Sequence, residues 1–348
     1  MTPLLLPTLD TDAEFARITA ALTRRGFLGG SAAALSMLAL AGCSSEDGGG
    51  GAEGETRTVQ THYGPVDVPV DPQRIVAVSY NTPWQLQAVG ARPVATLDYS
   101  AYIDQFTPTQ QKFIDGLSTV GVFLEVNREA VVAAAPDLIV GDAYEIDEDM
   151  FRELSKIAPT AVYSGTNRSD WRAVAEGVAD AVNKGSALTS NREKYQAMQE
   201  RIRTEYAAQL GENRWAQVAI GGSEGHFSIL YPTGVTGAML ADLNVTRGEF
   251  IPDLRPATGF EAFPLEQLEM LRDVTVVIYP KQPNGTDSAG MKSVFASPLW
   301  SRIPAAASGR VFGISTQVTD YGTAINWLNE LETGALEALH DIISIAQR

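Results

Sequence analysis

The sequence predicts an α/β protein of two Rossmann-like lobes, each on a mostly parallel sheet, joined by one long interdomain helix. Three observations carry that expectation. Short apolar runs rich in Val and Ile alternate with helical stretches across residues 58–168. The stretch Ser190–Leu210 then contains neither Gly nor Pro. After Gly211 the alternation resumes. Strands that alternate with helices favour parallel sheets covered on both faces.

The elements follow in order. Thr58–His62 and Val66–Val70 flank Tyr63-Gly64-Pro65 and read as a hairpin. Arg74–Val78 is an apolar run suited to a buried strand. Pro83–Val89 reads as a helix closed by Gly90, and Pro93–Leu97 as the next strand. Arg128–Ala135 is a short helix stopped by Pro136, followed by the strand Asp137–Val140. Met150–Ile157 is helical and Thr160–Tyr163 a strand. Asp170 is placed to cap a helix running to Val182. In Ser190–Leu210 the apolar residues Tyr195, Met198, Ile202 and Tyr206 recur every three or four positions, one face of a helix. At 1.5 Å per residue that helix is about 30 Å long, enough to cross a domain. Beyond it lie the strand Ala216–Ile220, a strand-like His226–Tyr231 and the helix Thr236–Leu243. The helix Leu265–Leu271, the strand Val274–Ile278, the segments Trp300–Pro304 and Gly309–Gly313, and a closing helix Ala324–Ala346 complete the chain. The expected division is residues 58–168 as the first lobe, 169–212 as connecting helices and 213–348 as the second lobe.

Composition excludes several functions. The 348 residues carry 26 Lys+Arg against 42 Asp+Glu, a net charge of −16 with no basic stripe, which argues against a nucleic-acid partner. The single cysteine, Cys43, rules out an intramolecular disulfide and any cysteine cage for zinc or iron–sulfur. His62, His226 and His340 are too few and too scattered for a multi-histidine metal centre.

The N-terminus reads as a targeting segment. Arg24 and Arg25 precede the uncharged run Gly26–Ser45, a basic region followed by an apolar one. That run is rich in Ala and Gly and would span a membrane poorly. Thr23–Leu28 resembles the twin-arginine export signal, and Leu40-Ala41-Gly42-Cys43 resembles the bacterial lipobox, in which the cysteine becomes the lipidated first residue. Residues 1–42 are thus expected to be a cleaved signal and 43–57 a lipidated cysteine with its tether. The Gly-rich Ser44–Glu55 gives a reach of about 20 Å. The expected location is the outer face of the cytoplasmic membrane, reached by the twin-arginine route.

A family resemblance rests on six ordered segments. They are Asp71–Ala77, Val89–Val94, Val120-Gly121 with Asn127-Arg128-Glu129 and Ala135–Ile139, Leu154–Pro159, Pro298–Ala305, and Gly309–Phe312. Together, behind a lipoprotein signal, they resemble the class III periplasmic binding proteins that serve ABC importers of ferric siderophores, haem and vitamin B12. The resemblance implies a ligand held between the lobes and delivered by a monomer to a dimeric permease. It also implies that Glu129 and Glu266, by motif, dock on that permease.

Ligand contacts are expected in loops after strand C-termini, the ligand edge of open α/β sheets. In the first lobe these loops hold Tyr80, Asn81, Trp84, Asp98, Tyr99, Tyr102, Tyr144, Asn167, Arg168 and Trp171. In the second they hold Glu224, His226, Phe227, Tyr231, Arg255, Tyr279, Lys281 and Tyr321. Rings with one polar tip suit a large, flat, partly polar ligand, and Arg and Lys suit its oxygens. Loop packing is the alternative role for each. The scarcity of His favours a ligand that brings its own metal coordination, an iron(III)–siderophore, with no resident cofactor. Haem remains an alternative, with His226 or a tyrosine as axial ligand, and so does cobalamin.

An enzyme is the rival class. Gly221-Gly222-Ser223-Glu224-Gly225 fits G-x-S-x-G and follows a strand, as a hydrolase nucleophile elbow does. That elbow needs a helix directly after the serine, whereas the residues after Ser223 read as a strand. A serine hydrolase is therefore the distant alternative, and a surface adhesin without a closed cleft is a third.

Overall fold

The computed structural model describes residues 54–166, 170–254, 256 and 258–340. The export signal, Cys43, Asn167, Arg168, Arg255 and the end of the expected closing helix lie outside the described residues.

The first sheet has five parallel strands in the spatial order Ser118–Thr119, Ala95–Thr96, Ile75–Ala77, Leu138–Asp142, Thr160–Tyr163. Their order along the chain reverses at Ile75–Ala77, which creates the switch point where open α/β sheets leave a crevice. The central strands are buried on both faces, as helical cover on both sides requires. The hairpin Thr56–Thr61 and Gly64–Pro69 forms as expected, and the His62 amide donates to the Val162 carbonyl at 2.8 Å.

The second sheet is mixed. Arg214–Ile220, Val276–Pro280 and Val311–Ile314 are parallel, with Thr246–Arg247 parallel beside the first of them. His226–Leu230 and Phe260–Pro264 add antiparallel strands. Residues 221–225 form the tight connection between Arg214–Ile220 and His226–Leu230, so a strand follows Ser223 where a nucleophile elbow would have a helix.

Two helices lead from one sheet to the other. Asp170 caps Trp171–Ala181 by accepting from the Ala173 amide. The long helix is Gly185–Glu205, which starts five residues before the expected Ser190 because the break falls at Asn183, in the left-handed region at φ 55°. It buries Leu188, Tyr195, Gln199 and Ile202. One apolar core is continuous from Ile75 and Leu138, through Trp171, Tyr195 and Ile202, to Trp215, Ile278 and Trp327. The bridging helix is therefore the spine of a core shared by both lobes.

Several elements depart from expectation. Leu265–Leu271 is a 3₁₀ helix. The closing helix starts at Tyr321, because the Asp320 carboxylate accepts from the Gly322 and Thr323 amides and caps it there. It passes through a π-helical turn at Glu332–Leu336. Ser100–Gln105, Pro108–Ile114 and Ala289–Phe295 are helical segments without a strong apolar period, and the sequence reading left them unassigned.

Candidate ligand cleft

A cleft of about 740 Å³ lies between loops that follow strands of both sheets. Asn81, Ala101, Asp104 and Gln105 line it from the first lobe. Ile220, Tyr279, Lys281, Gln282, Thr316 and Gln317 line it from the second, with Val318 and Trp327 beneath them. Each position follows from topology. Asn81 follows the switch-point strand Ile75–Ala77, Lys281 follows Val276–Pro280, and Thr316 follows Val311–Ile314.

The lining is mostly neutral. Asp104 and Lys281 are its charged side chains among the described residues, set among amides, hydroxyls and apolar groups. Asn81 Oδ1 is buried without a hydrogen-bond partner, an acceptor left open where the cleft begins. The Tyr279 hydroxyl donates to Asp287 Oδ1 at 2.7 Å. Burial, and this acceptor beside it, push the phenol well above its ordinary value, so it stays a neutral group. The stem of Lys281 lies across Gly313, where a β-carbon would stand 2.5–2.7 Å from Lys281 Cε, Cδ and Cγ. Glycine at 313 thus makes room for the lysine arm. A second groove of about 570 Å³ shares Gln105, Ser315, Thr316 and Gln317 with the cleft and continues it past Trp84, Asn191 and Asp320. Among the described residues, no three His, Cys, Asp or Glu come together as metal ligands would.

The sequence profile of the periplasmic binding protein family matches residues 76–318, which takes in both sheets and the bridging helix between them. The chain belongs to that family. This binding protein is 25% identical over 308 residues to the probable siderophore-binding lipoprotein YfiY of Bacillus subtilis, covering 85% of this chain and 93% of that one. It is 24% identical over 263 residues to the Fe(3+) dicitrate-binding periplasmic protein FecB of Escherichia coli, covering 74% and 82%. Its fold matches the siderophore periplasmic binding protein from the fuscachelin gene cluster of Thermobifida fusca with a TM-score of 0.69 at 23% identity, over 76% of this chain and 97% of that one. The class III two-lobe fold expected from sequence is the fold observed.

The structure sorts the sequence-expected contacts by their distance from the cleft. Asn81, Tyr279 and Lys281 line the cleft. Tyr80 stands one layer behind it. Its hydroxyl donates to Gln105 Oε1 at 3.4 Å, and its ring packs among Tyr99, Phe106 and Phe123. Trp84 is buried in the same aromatic cluster and borders only the adjoining groove.

Others belong to the interior and correct the expectation. Tyr99 is buried, and its hydroxyl donates to the Tyr80 carbonyl at 2.8 Å. Burial raises its pKa far above the ordinary phenol value. Trp171 and Tyr321 pack edge to face at 5.0 Å beside Tyr195, in the core under the bridging helix. Phe227 is buried against Phe263. Tyr231 is fully buried beneath the Arg247 guanidinium, whose Cζ lies 4.7 Å from the ring centroid. The cause is common to all of them. A large ring gains most from full burial, and in this chain the shared core offered more of it than a half-open cleft.

The remaining candidates lie outside the cleft wall. Tyr144 is 51% exposed after the strand Leu138–Asp142 and is not among the lining residues. His226 opens its strand with Nδ1 3.0 Å from Ser223 Oγ, at the exposed end of the hairpin with Glu224. Asp98 accepts from the Ser100 amide, which holds its carboxyl below the usual range. Glu129 and Glu266 are exposed in the first turns of Arg128–Ala133 and Leu265–Leu271. Asp104, Gln105, Gln282, Thr316, Gln317 and Trp327 were missed. The strand-end rule, applied after Gly309–Gly313, would have found Thr316 and Gln317. Asp104 and Gln105 sit on a 3₁₀ turn that carries no sequence period.

Proposed function

We propose that this periplasmic binding protein captures an iron(III)–siderophore between its lobes and hands it to the permease of an ABC importer. The observation that carries this reading is the cleft itself, of about 740 Å³, fed by strand ends of both lobes and lined by amides, hydroxyls, Asp104 and Lys281. Small-molecule sites fall in the range of about 300–1,000 Å³. A chelate that brings its own iron ligands needs shape and a few hydrogen bonds from the protein, which such walls supply. The names of the relatives point the same way.

In this reading the protein binds its ligand without transforming it. Glu129 and Glu266 engage a permease dimer, and a monomer is anchored through lipid on Cys43 after export by the twin-arginine route. Residues 58–168 and 213–348 act as the two lobes. Cys43→Ser should move the protein from the membrane to the soluble fraction with ligand binding intact, and retention in the membrane would refute the lipid anchor.

The test is a titration of the full chain with ferric hydroxamates, ferric catecholates, ferric citrate, haem and cobalamin. Trp327 lines the cleft and Trp84 the adjoining groove, so bound ferric chelate should quench tryptophan fluorescence and raise the melting temperature. A response to haem or cobalamin alone would replace the siderophore reading. Silence across the whole panel would remove it.

A further inference from the structure

A second cavity, of about 430 Å³, lies in the second lobe beneath the helix Val235–Asp242. Ala216, Ile229, Pro232, Leu240, Val245 and Ile251 give it apolar walls. For comparison, an apolar cavity of about 150 Å³ is enough to admit benzene. The helix packs tightly on the turn that leads into it because residue 237 is glycine, and a β-carbon there would run into the Tyr231 carbonyl.

The cavity is not apolar throughout. Trp215 Nε1, Gln217 Oε1 and Arg247 Nη2 all belong to lining residues, and each is buried with no hydrogen-bond partner. Buried polar atoms are normally paired, and the two donors among these orphans ask for an acceptor in the cavity. One of the two is a guanidinium, which favours a carboxylate or carbonyl oxygen. Ala241 and Asn244 are exposed and mark an outer mouth. Inward, Gln217 and Leu230 line both this cavity and the cleft. There the Gln217 amide donates to Thr236 Oγ1 at 2.6 Å.

We propose that this cavity is a second ligand site, which takes an aliphatic chain ending in a carboxylate or carbonyl oxygen held by Arg247 and Trp215. The chain belongs either to a free fatty carboxylate or to an arm of an amphiphilic chelate that ends in a free carboxylate, with the iron centre in the cleft. The second source rests on the siderophore reading above, and the first does not.

The experiment has two arms, both on the full chain. In the first, hexanoate, octanoate and decanoate are titrated and followed by melting temperature and tryptophan fluorescence. Affinity should rise roughly fourfold for each methylene buried. Arg247→Gln should weaken decanoate at least tenfold. Ala241→Phe, which places a ring at the exposed mouth, should abolish binding. The second arm compares one ferric hydroxamate with and without a decanedioic acid arm, attached through one carboxyl and ending in the other as a free carboxylate. A tenfold advantage for the armed form that disappears in Arg247→Gln assigns the site to the arm of a chelate. Decanoate binding without that advantage assigns it to a free carboxylate. The proposal is overturned if no carboxylate binds and acylation brings no advantage, or if both effects survive unchanged in both variants. If no ferric chelate of the panel binds while decanoate binds, the siderophore reading of the cleft falls and this site stands.

Discussion

Arg201 and Glu332 fasten the bridging helix to the segment that closes the chain. Arg201 Nη1 and Nη2 donate to Glu332 Oε1 and Oε2, each at 2.6 Å. The partners are unequal. The Glu332 side chain is 12% exposed, whereas that of Arg201 is 42% exposed and also donates to Glu205 at 2.7 Å. Losing one partner of a fully buried pair costs about 3–5 kcal/mol, while an exposed pair is worth about 0–1. Arg201→Met leaves the carboxylate with little water and only the Tyr206 hydroxyl as a partner, so its cost should be about 2 kcal/mol at pH 7. Glu332→Gln leaves an arginine that keeps solvent and Glu205, so about 1 kcal/mol is expected. The pH dependence has a definite sign. Arg201 holds the Glu332 carboxyl below its ordinary value near 4.5. Its contribution is therefore full above the unfolded value and lost as pH falls through the lower folded value. Glu332→Gln removes that dependence. The gap between wild type and Arg201→Met should narrow as pH falls from 7 towards 4, because the stranded carboxylate takes up a proton. Equilibrium urea unfolding of the three proteins at pH 7 and pH 4 measures all of this. An Arg201→Met cost no larger than that of Glu332→Gln would refute the reasoning.

Three further outcomes are expected. Lys281→Met should weaken a ferric chelate about tenfold, as loss of one charged hydrogen bond does, with an unchanged melting temperature. Gly313→Val should act in the same direction by crowding the lysine stem, and both are read by fluorescence titration. Trp171→Ala should destabilise the fold by about 3–5 kcal/mol in urea while leaving the affinity of the folded protein within threefold. A large affinity loss without loss of stability would return Trp171 to the cleft. Combined Glu129→Ala and Glu266→Ala should abolish ligand uptake by cells while leaving affinity in solution within twofold, and unchanged uptake would end their docking role.

Much of the fold was legible because its strands are short, doubly buried and separated by capped helices. Thr160–Tyr163 matched its expected bounds, and the hairpin, the switch-point strand and the long helix fell close to theirs. What escaped was structure without a period of its own, such as the 3₁₀ turn Ser100–Gln105 and the edge strand Phe260–Pro264 with its mostly exposed face. The site was less legible than the fold. Of the residues chosen by strand-end logic, Asn81, Tyr279 and Lys281 line the cleft. Residue type did not, because a tyrosine or tryptophan in a loop after a strand serves a hidden core as well as a ligand. The amides and hydroxyls that line the cleft are common in every loop, so composition could not mark them.

The misplaced rings say something about the mechanism. Trp171, Tyr195 and Tyr321 meet where the bridging helix, its preceding helix and the closing helix converge. Asn191 of the bridging helix donates to the Ala88 carbonyl of the first lobe, and Gln85 reaches the Thr319 carbonyl at 3.4 Å. Relative motion of the lobes would have to shear a close-packed core that runs through both of them. Such a core resists continuous deformation. A cleft braced in this way is largely formed before its ligand arrives, so little binding energy is spent on ordering it. If the proposed ligand binds there, its selection falls to the few side chains that line this fixed space, of which Asn81, Asp104 and Lys281 carry the buried acceptor and the opposite charges. The rings of Trp171, Tyr195 and Tyr321 brace the two lobes from within that shared core.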